Sequence, residues 1–112
     1  MIDGDMLDMA YPTPWEHGLA ERNLAAMWAN YRALGYRRLI FINSACVLAT
    51  ETRKLAAAMG DIPRTVPLML TCTDATAAQR LGRREIGQEL DQHLDGSRRM
   101  AALTAPTLWA VL

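Results

Sequence analysis

The sequence predicts an α/β fold, a small three-layer parallel sheet with flanking helices. Three observations point there. Residues 38–43 form a short, continuous apolar run that suits a strand buried on both faces, as in a parallel sheet, and residues 66–71 read as a second clear strand. A helical pattern follows each run. Half of the 112 residues (51%) are hydrophobic, enough for one domain with a modest core.

The elements follow in order. Met1-Ile2-Asp3-Gly4-Asp5 reads as the carboxyl end of a strand running into an acidic loop. Asp8, Pro12 and Pro14 keep the next segment irregular, and Trp15 and His17 lie in that loop. From 18 to 34 the pattern is helical, with Leu19, Leu24, Met27, Trp28, Tyr31 and Leu34 on one stripe. Trp28 and Tyr31 are expected to pack in the core, and Gly35 suits the residue that ends the helix. After the strand at 38–43, Ser44-Ala45-Cys46 are small residues at its carboxyl end. Thr50 or Thr52 is expected to cap a helix from about 51 to 59, with Leu55, Ala56 and Met59 inward. Gly60 to Pro63 close it.

The strand at 66–71 leads to Thr73-Asp74, a helix-start pair, with Asp74 as the expected cap of a helix from 75 to about 85. Gly87 breaks the pattern, and a second helix runs from about 88 to 103 with Leu90, Leu94, Ser97 and Ala101 on one stripe. Gly96 weakens it by roughly 1 kcal/mol relative to alanine. The apolar run at 107–112 is compatible with a strand or with a frayed tail. No repeat, low-complexity tract or linker interrupts residues 1–112, so a single domain is expected.

Composition narrows the partners. Twelve basic and twelve acidic residues balance, which offers no electrostatic reason to bind nucleic acid or an anionic membrane. Aromatic residues make up 6%, too few for a base-stacking platform. No apolar run approaches the roughly 20 residues of a membrane span. The amino-terminal stretch is acidic rather than basic, so the cytoplasm is the expected compartment. Cys46 and Cys72 are expected to be free, buried thiols rather than a disulfide. His17, His93, Cys46 and Cys72 lie on separate elements without metal-site spacing, so no metal site is expected.

In an open parallel sheet, ligands sit beyond the carboxyl ends of the strands. Asp3 and Asp5 leave the first strand, Asn43 and Ser44 the second, and Thr71, Thr73 and Asp74 the third. Arg80, Arg83 and Arg84 follow one to three turns later, and arginine's planar fork matches phosphate oxygens. Acids on one side and arginines on the other suit phosphoryl transfer, where an aspartate near the acceptor hydroxyl takes its proton. The plainer alternative is a turn at Asp3-Gly4-Asp5 and a solvated, locally paired helix face at Arg83-Arg84-Glu85.

The series as a whole resembles the P-loop small-molecule kinases, the group with shikimate-, gluconate- and nucleoside-kinase-like folds, including their uncharacterised ATP-binding members. The pieces that carry the likeness are Ile2-Asp3-Gly4-Asp5, Gly18-Leu19-Ala20-Glu21-Arg22-Asn23-Leu24 and Trp28-Ala29-Asn30-Tyr31. The strand at 38–43, Thr71-Cys72-Thr73-Asp74, the run from Arg80 to Gly87, His93-Leu94 and Ser97-Arg98 complete it, over about residues 2–102. The resemblance implies that Asp3 and Asp5 are acceptor-side residues, one of them a candidate general base. It implies a lid at about 80–90, with Arg80, Arg83, Arg84 and Thr73 near the nucleotide, and ATP with Mg as cofactors. The G-x-x-x-x-G-K-S/T phosphate loop of that family does not occur in residues 1–112, and the one lysine, Lys54, follows no glycine-rich loop. The family's first strand and this loop would precede residue 1, which makes the chain an incomplete kinase-like domain. In such a domain either the strands at 38–43 and 66–71 pair directly, or an open sheet edge is left through which copies would associate.

Two functional readings follow. In the first, the chain is the acceptor-binding and lid portion of an ATP-dependent small-molecule kinase-like protein, inactive alone. In the second, it is a non-catalytic α/β binding or interaction module. The identity of the acceptor is not written in these residues.

Overall fold

A computed structural model describes residues 1–12, 14–103 and the backbone of 110–111. It is mixed α/β, in the order β1 (Ile2–Asp3), α1 (Leu19–Ala33), β2 (Phe41–Ile42), α2 (Ala49–Met59), β3 (Leu68–Met69), α3 (Asp74–Leu81), α4 (Gly87–Leu103) and β4 (Ala110–Val111). Short 3-10 turns at Gly4–Met6, Trp15–His17 and Ser44–Val47 fill the loops. The chain divides into two compact units, Met1–Thr65 and Val66–Leu112.

In the first unit β1 and β2 run parallel, with Ile2 opposite Phe41 and Asp3 opposite Ile42. Parallel neighbours need a crossover, and α1 supplies it. Gly18 (φ +59°) precedes α1 and Gly35 (φ +90°) follows it, both in left-handed backbone that favours glycine. Leu24 and Trp28 of α1 are buried, as are Ile2 and Leu7. Leu39, Phe41, Leu55 and Met59 pack around that centre. Tyr31, expected in the core, is 37% exposed; its ring instead meets Tyr36 edge-on at 5.7 Å, on the surface.

The run at 38–43 is not buried on both faces. Leu39 and Phe41 are half-buried, whereas Ile40 and Ile42 are 66% and 52% exposed. Alternate strand residues point to opposite faces, and α1 and α2 give the first unit a core on one of them. The helix expected from 51 starts at Ala49. Its cap position is Leu48, whose carbonyl accepts from the N–H groups of Glu51 and Thr52, and no side chain caps it. The Thr52 hydroxyl donates to the Cys46 carbonyl, so neither threonine takes the expected role. Gly60 (φ +76°) ends α2. Just beyond, Asp61 accepts from Trp28 Nε1 (3.1 Å) and pairs with Arg32 Nε (3.2 Å), which ties the exit of α2 to α1.

In the second unit Leu68 pairs with Ala110 and Met69 with Val111, again in parallel. The expected strand at 66–71 is thus only two residues long; Pro67, which has no N–H to give a ladder, stands just before it. Among the described residues the strands form two separate pairs, not one sheet of three or four. Thr73, not Asp74, caps α3. Its backbone is extended, and its hydroxyl accepts from the Thr76 N–H at 3.2 Å. The helix expected to reach 85 stops at Leu81, and Gly82 to Arg84 form a turn. α4 packs on α3, with Leu90, Leu94, Gly96 and Met100 half-buried; Ser97 and Ala101, expected inward, are exposed. Apart from 110 and 111, the run at 107–112 lies outside the described residues. Both cysteines are free, but Cys72 is exposed just after β3 rather than buried, and Cys46 is half-buried.

Candidate functional site

A cleft of about 440 Å³ opens in the first unit. Asp5, Asn43 and Ser44 line it, just beyond the carboxyl ends of β1 and β2. Local sequence explains how the two strand ends meet. Gly4 lies so close to β2 that a Cβ there would stand 2.7 Å from both the Phe41 ring and the Asn43 amide. Asp3 then caps the turn, its Oδ1 accepting from the Asp5 N–H at 3.1 Å. Asp5 Oδ1 accepts from Asn43 Nδ2 at 2.9 Å, while Asn43 Oδ1 accepts from the Ala45 N–H at 2.7 Å. Both ends of the Asn43 amide are therefore used, which fixes its orientation and holds the Asp5 carboxylate. Asn23 Nδ2 donates to the Leu7 carbonyl at 2.6 Å and anchors the far side of the same turn to α1.

The helices supply the other wall. Lys54 Nζ of α2 lies 2.9 Å from Glu51 Oε2 and 3.5 Å from Glu21 Oε1 of α1. The hydrogen bond to Glu51 raises the Lys54 pKa above its ordinary value, so the side chain stays an ammonium. Leu19, Phe41 and Leu55 form apolar lining, and Trp15, 78% exposed, stands on the wall. Asp8 lines the cleft too, half-buried and without a side-chain partner among the described residues.

The structure thus separates the two candidate aspartates. Asp5 faces the cleft; Asp3 is spent on the turn that presents it. The second candidate set lies within the second unit. The Thr73 hydroxyl caps α3. Arg80 is in the last turn of α3, and Arg83 and Arg84 lie in the turn beyond. Arg84 pairs with its neighbour Glu85 at 2.9 Å, whereas Arg80 and Arg83 are exposed with no carboxylate partner among the described residues. Sequence reasoning missed Asp8, Trp15, Glu21, Glu51 and Lys54 as cleft residues. The i,i+3 spacing of Glu51 and Lys54 was the available signal, but nothing in the sequence ties that pair to Glu21.

The donor set does not fit the phosphates of ATP. The cleft presents carboxylates and a lysine already held by two of them, where a triphosphate needs converging N–H groups and a free cation. Arg80 and Arg83 can touch an anion but form no cradle. No protein-family model, curated protein or solved structure matches this chain. No helix among the described residues is long and apolar enough to cross a membrane.

Proposed function

We propose that the chain is the acceptor-binding and lid portion of an ATP-dependent small-molecule kinase-like protein, without phosphoryl-transfer activity of its own. The complete protein would have the three-layer kinase-like sheet. One observation carries the reading: the Asp5 carboxylate is held by Asn43 at the edge of a ligand-sized cleft, beyond the carboxyl ends of two parallel strands. In that role Asp5 accepts the proton of an acceptor hydroxyl, and Asn43 keeps the carboxylate oriented. Of the three candidate arginines, Arg80 and Arg83 are the two left without a carboxylate partner among the described residues and so open to a bound anion. The phosphate cradle must come from residues other than 1–112.

Calorimetry of this chain with Mg-ATP is expected to give no saturable binding in the micromolar range. Micromolar binding would overturn the view that the cradle lies elsewhere. The in-frame codons before Met1 are expected to encode G-x-x-x-x-G-K-S/T; stop codons or an unrelated protein there overturn the reading. In a chain extended to include that loop, Asp5→Asn should cut phosphotransfer by roughly 10²–10⁴-fold, while Asp3→Asn, which keeps the cap, should cost far less. The second reading, a non-catalytic binding module, draws support from the way Glu21 and Glu51 engage the single lysine. It predicts a soluble, cooperatively folded 112-residue chain with no codons for a phosphate loop before it.

A further inference from the structure

The charge inside the cleft narrows its ligand. Asp5, Asp8, Glu21 and Glu51 line it against Lys54, in a chain whose total charge is zero. Lys54 satisfies Glu21 and Glu51. Asp5 accepts a single side-chain hydrogen bond, from Asn43, and a carboxylate has lone pairs for more. Asp8 has no side-chain partner among the described residues although it is half-buried. An anionic ligand would meet two uncompensated carboxylates; an ammonium would be attracted by both. Trp15 adds a broad indole left 78% exposed on the wall, a surface that attracts cations. Leu19, Phe41 and Leu55 offer apolar area to a carbon skeleton. Lys54 already holds two of the four carboxylates, which leaves Asp5 and Asp8 to meet an organic ammonium, and no three His, Cys, Asp or Glu side chains among the described residues stand together as a metal-ligand group.

We propose that the cleft takes a hydroxyl-bearing organic cation, an amino sugar or amino alcohol, with its ammonium against Asp8 and Trp15 and a hydroxyl at Asp5. This rests on the acceptor reading above and names the class of acceptor. The test is an ¹⁵N NMR titration of the full chain with two matched pairs, glucosamine against glucose and 6-aminohexan-1-ol against hexane-1,6-diol. The amine of each pair is expected to shift the amides of Asp5 and Asp8 and the Trp15 indole N–H, and to bind about tenfold tighter than its neutral partner. Asp8→Asn should bring that preference below about threefold, and Trp15→Leu should weaken both amines. Both positions lie outside the buried core, and a retained amide spectrum checks that each variant folds. Equal binding of amine and neutral partner at the cleft overturns the cation and leaves the acceptor reading standing. An undiminished preference in Asp8→Asn overturns the placement of the ammonium against Asp8. No shift at the cleft with any probe overturns this inference, and the phosphotransfer assay of the extended chain then decides the acceptor reading separately.

Discussion

Asp3 and Asp5 carry the same group two positions apart, yet one closes a turn and the other faces a cleft. Gly4 between them makes this arrangement possible, because no side chain separates the turn from β2. Gly4→Ala would push a methyl to 2.7 Å from the Phe41 ring and the Asn43 amide. It should destabilise the chain by about 1–3 kcal/mol in urea unfolding, and it should weaken cleft binding by displacing Asn43. The cysteines separate as clearly. Burial pushes the Cys46 thiol above its ordinary pKa of 9.0. Iodoacetamide at pH 8 should therefore label exposed Cys72 first, with Cys46 following as the pH rises past 9. The same shift has a sign for stability. The unfolded chain loses this proton at lower pH than the folded one, so the contribution holds below about pH 9 and fades as the pH climbs through the raised value.

Helix ends show where local patterns mislead. Thr73-Asp74 is legible as a helix start, but two residues compete for one cap. Backbone geometry decides for Thr73, whose extended ψ of 154° lets its hydroxyl reach Thr76. Thr73→Ala should cost about 1 kcal/mol in urea unfolding followed by helical circular dichroism. Asp74→Ala should cost only the few tenths of an acid near a helix N-terminus; the reverse order would restore Asp74 as the cap. At the exit of α2, Asp61 holds both the Trp28 indole and the Arg32 guanidinium. Trp28→Phe keeps the ring in the core and removes the donor, and should cost about 1 kcal/mol. The apolar stripe of α1 was read from its spacing, and Leu24 and Trp28 obey it. Tyr31 and Leu34 continue the same stripe but remain on the surface, because periodicity does not say how far along a helix its neighbours extend.

Over the whole molecule, Ile2, Leu7, Leu24 and Trp28 are the buried apolar side chains of the described residues, all in the first unit. A centre this small leaves little margin over the entropy of ordering the chain. Urea unfolding is expected to begin at low denaturant with a shallow, broad transition. A steep transition with a midpoint above about 4 M would show a far larger buried surface than this fold contains. Limited trypsin digestion should cut first at Arg64, in the exposed irregular segment after Gly60, and in the turn at Arg83 and Arg84, before any arginine within α1 or α2.

Sequence alone determined the order of strands and helices, the glycine stops at Gly35 and Gly60, and the acidic exit of the first strand. These are local matters: periodicity, missing side chains and missing N–H groups act within a few residues. The tertiary structure decided which strands pair, which face of residues 38–43 is covered, which aspartate lines the cleft, and that Lys54 joins Glu21 to Glu51. Each of those depends on groups tens of residues apart meeting within a few ångströms, as Asp5 and Asn43 do across 38 positions. No spacing rule in a single sequence encodes that distance.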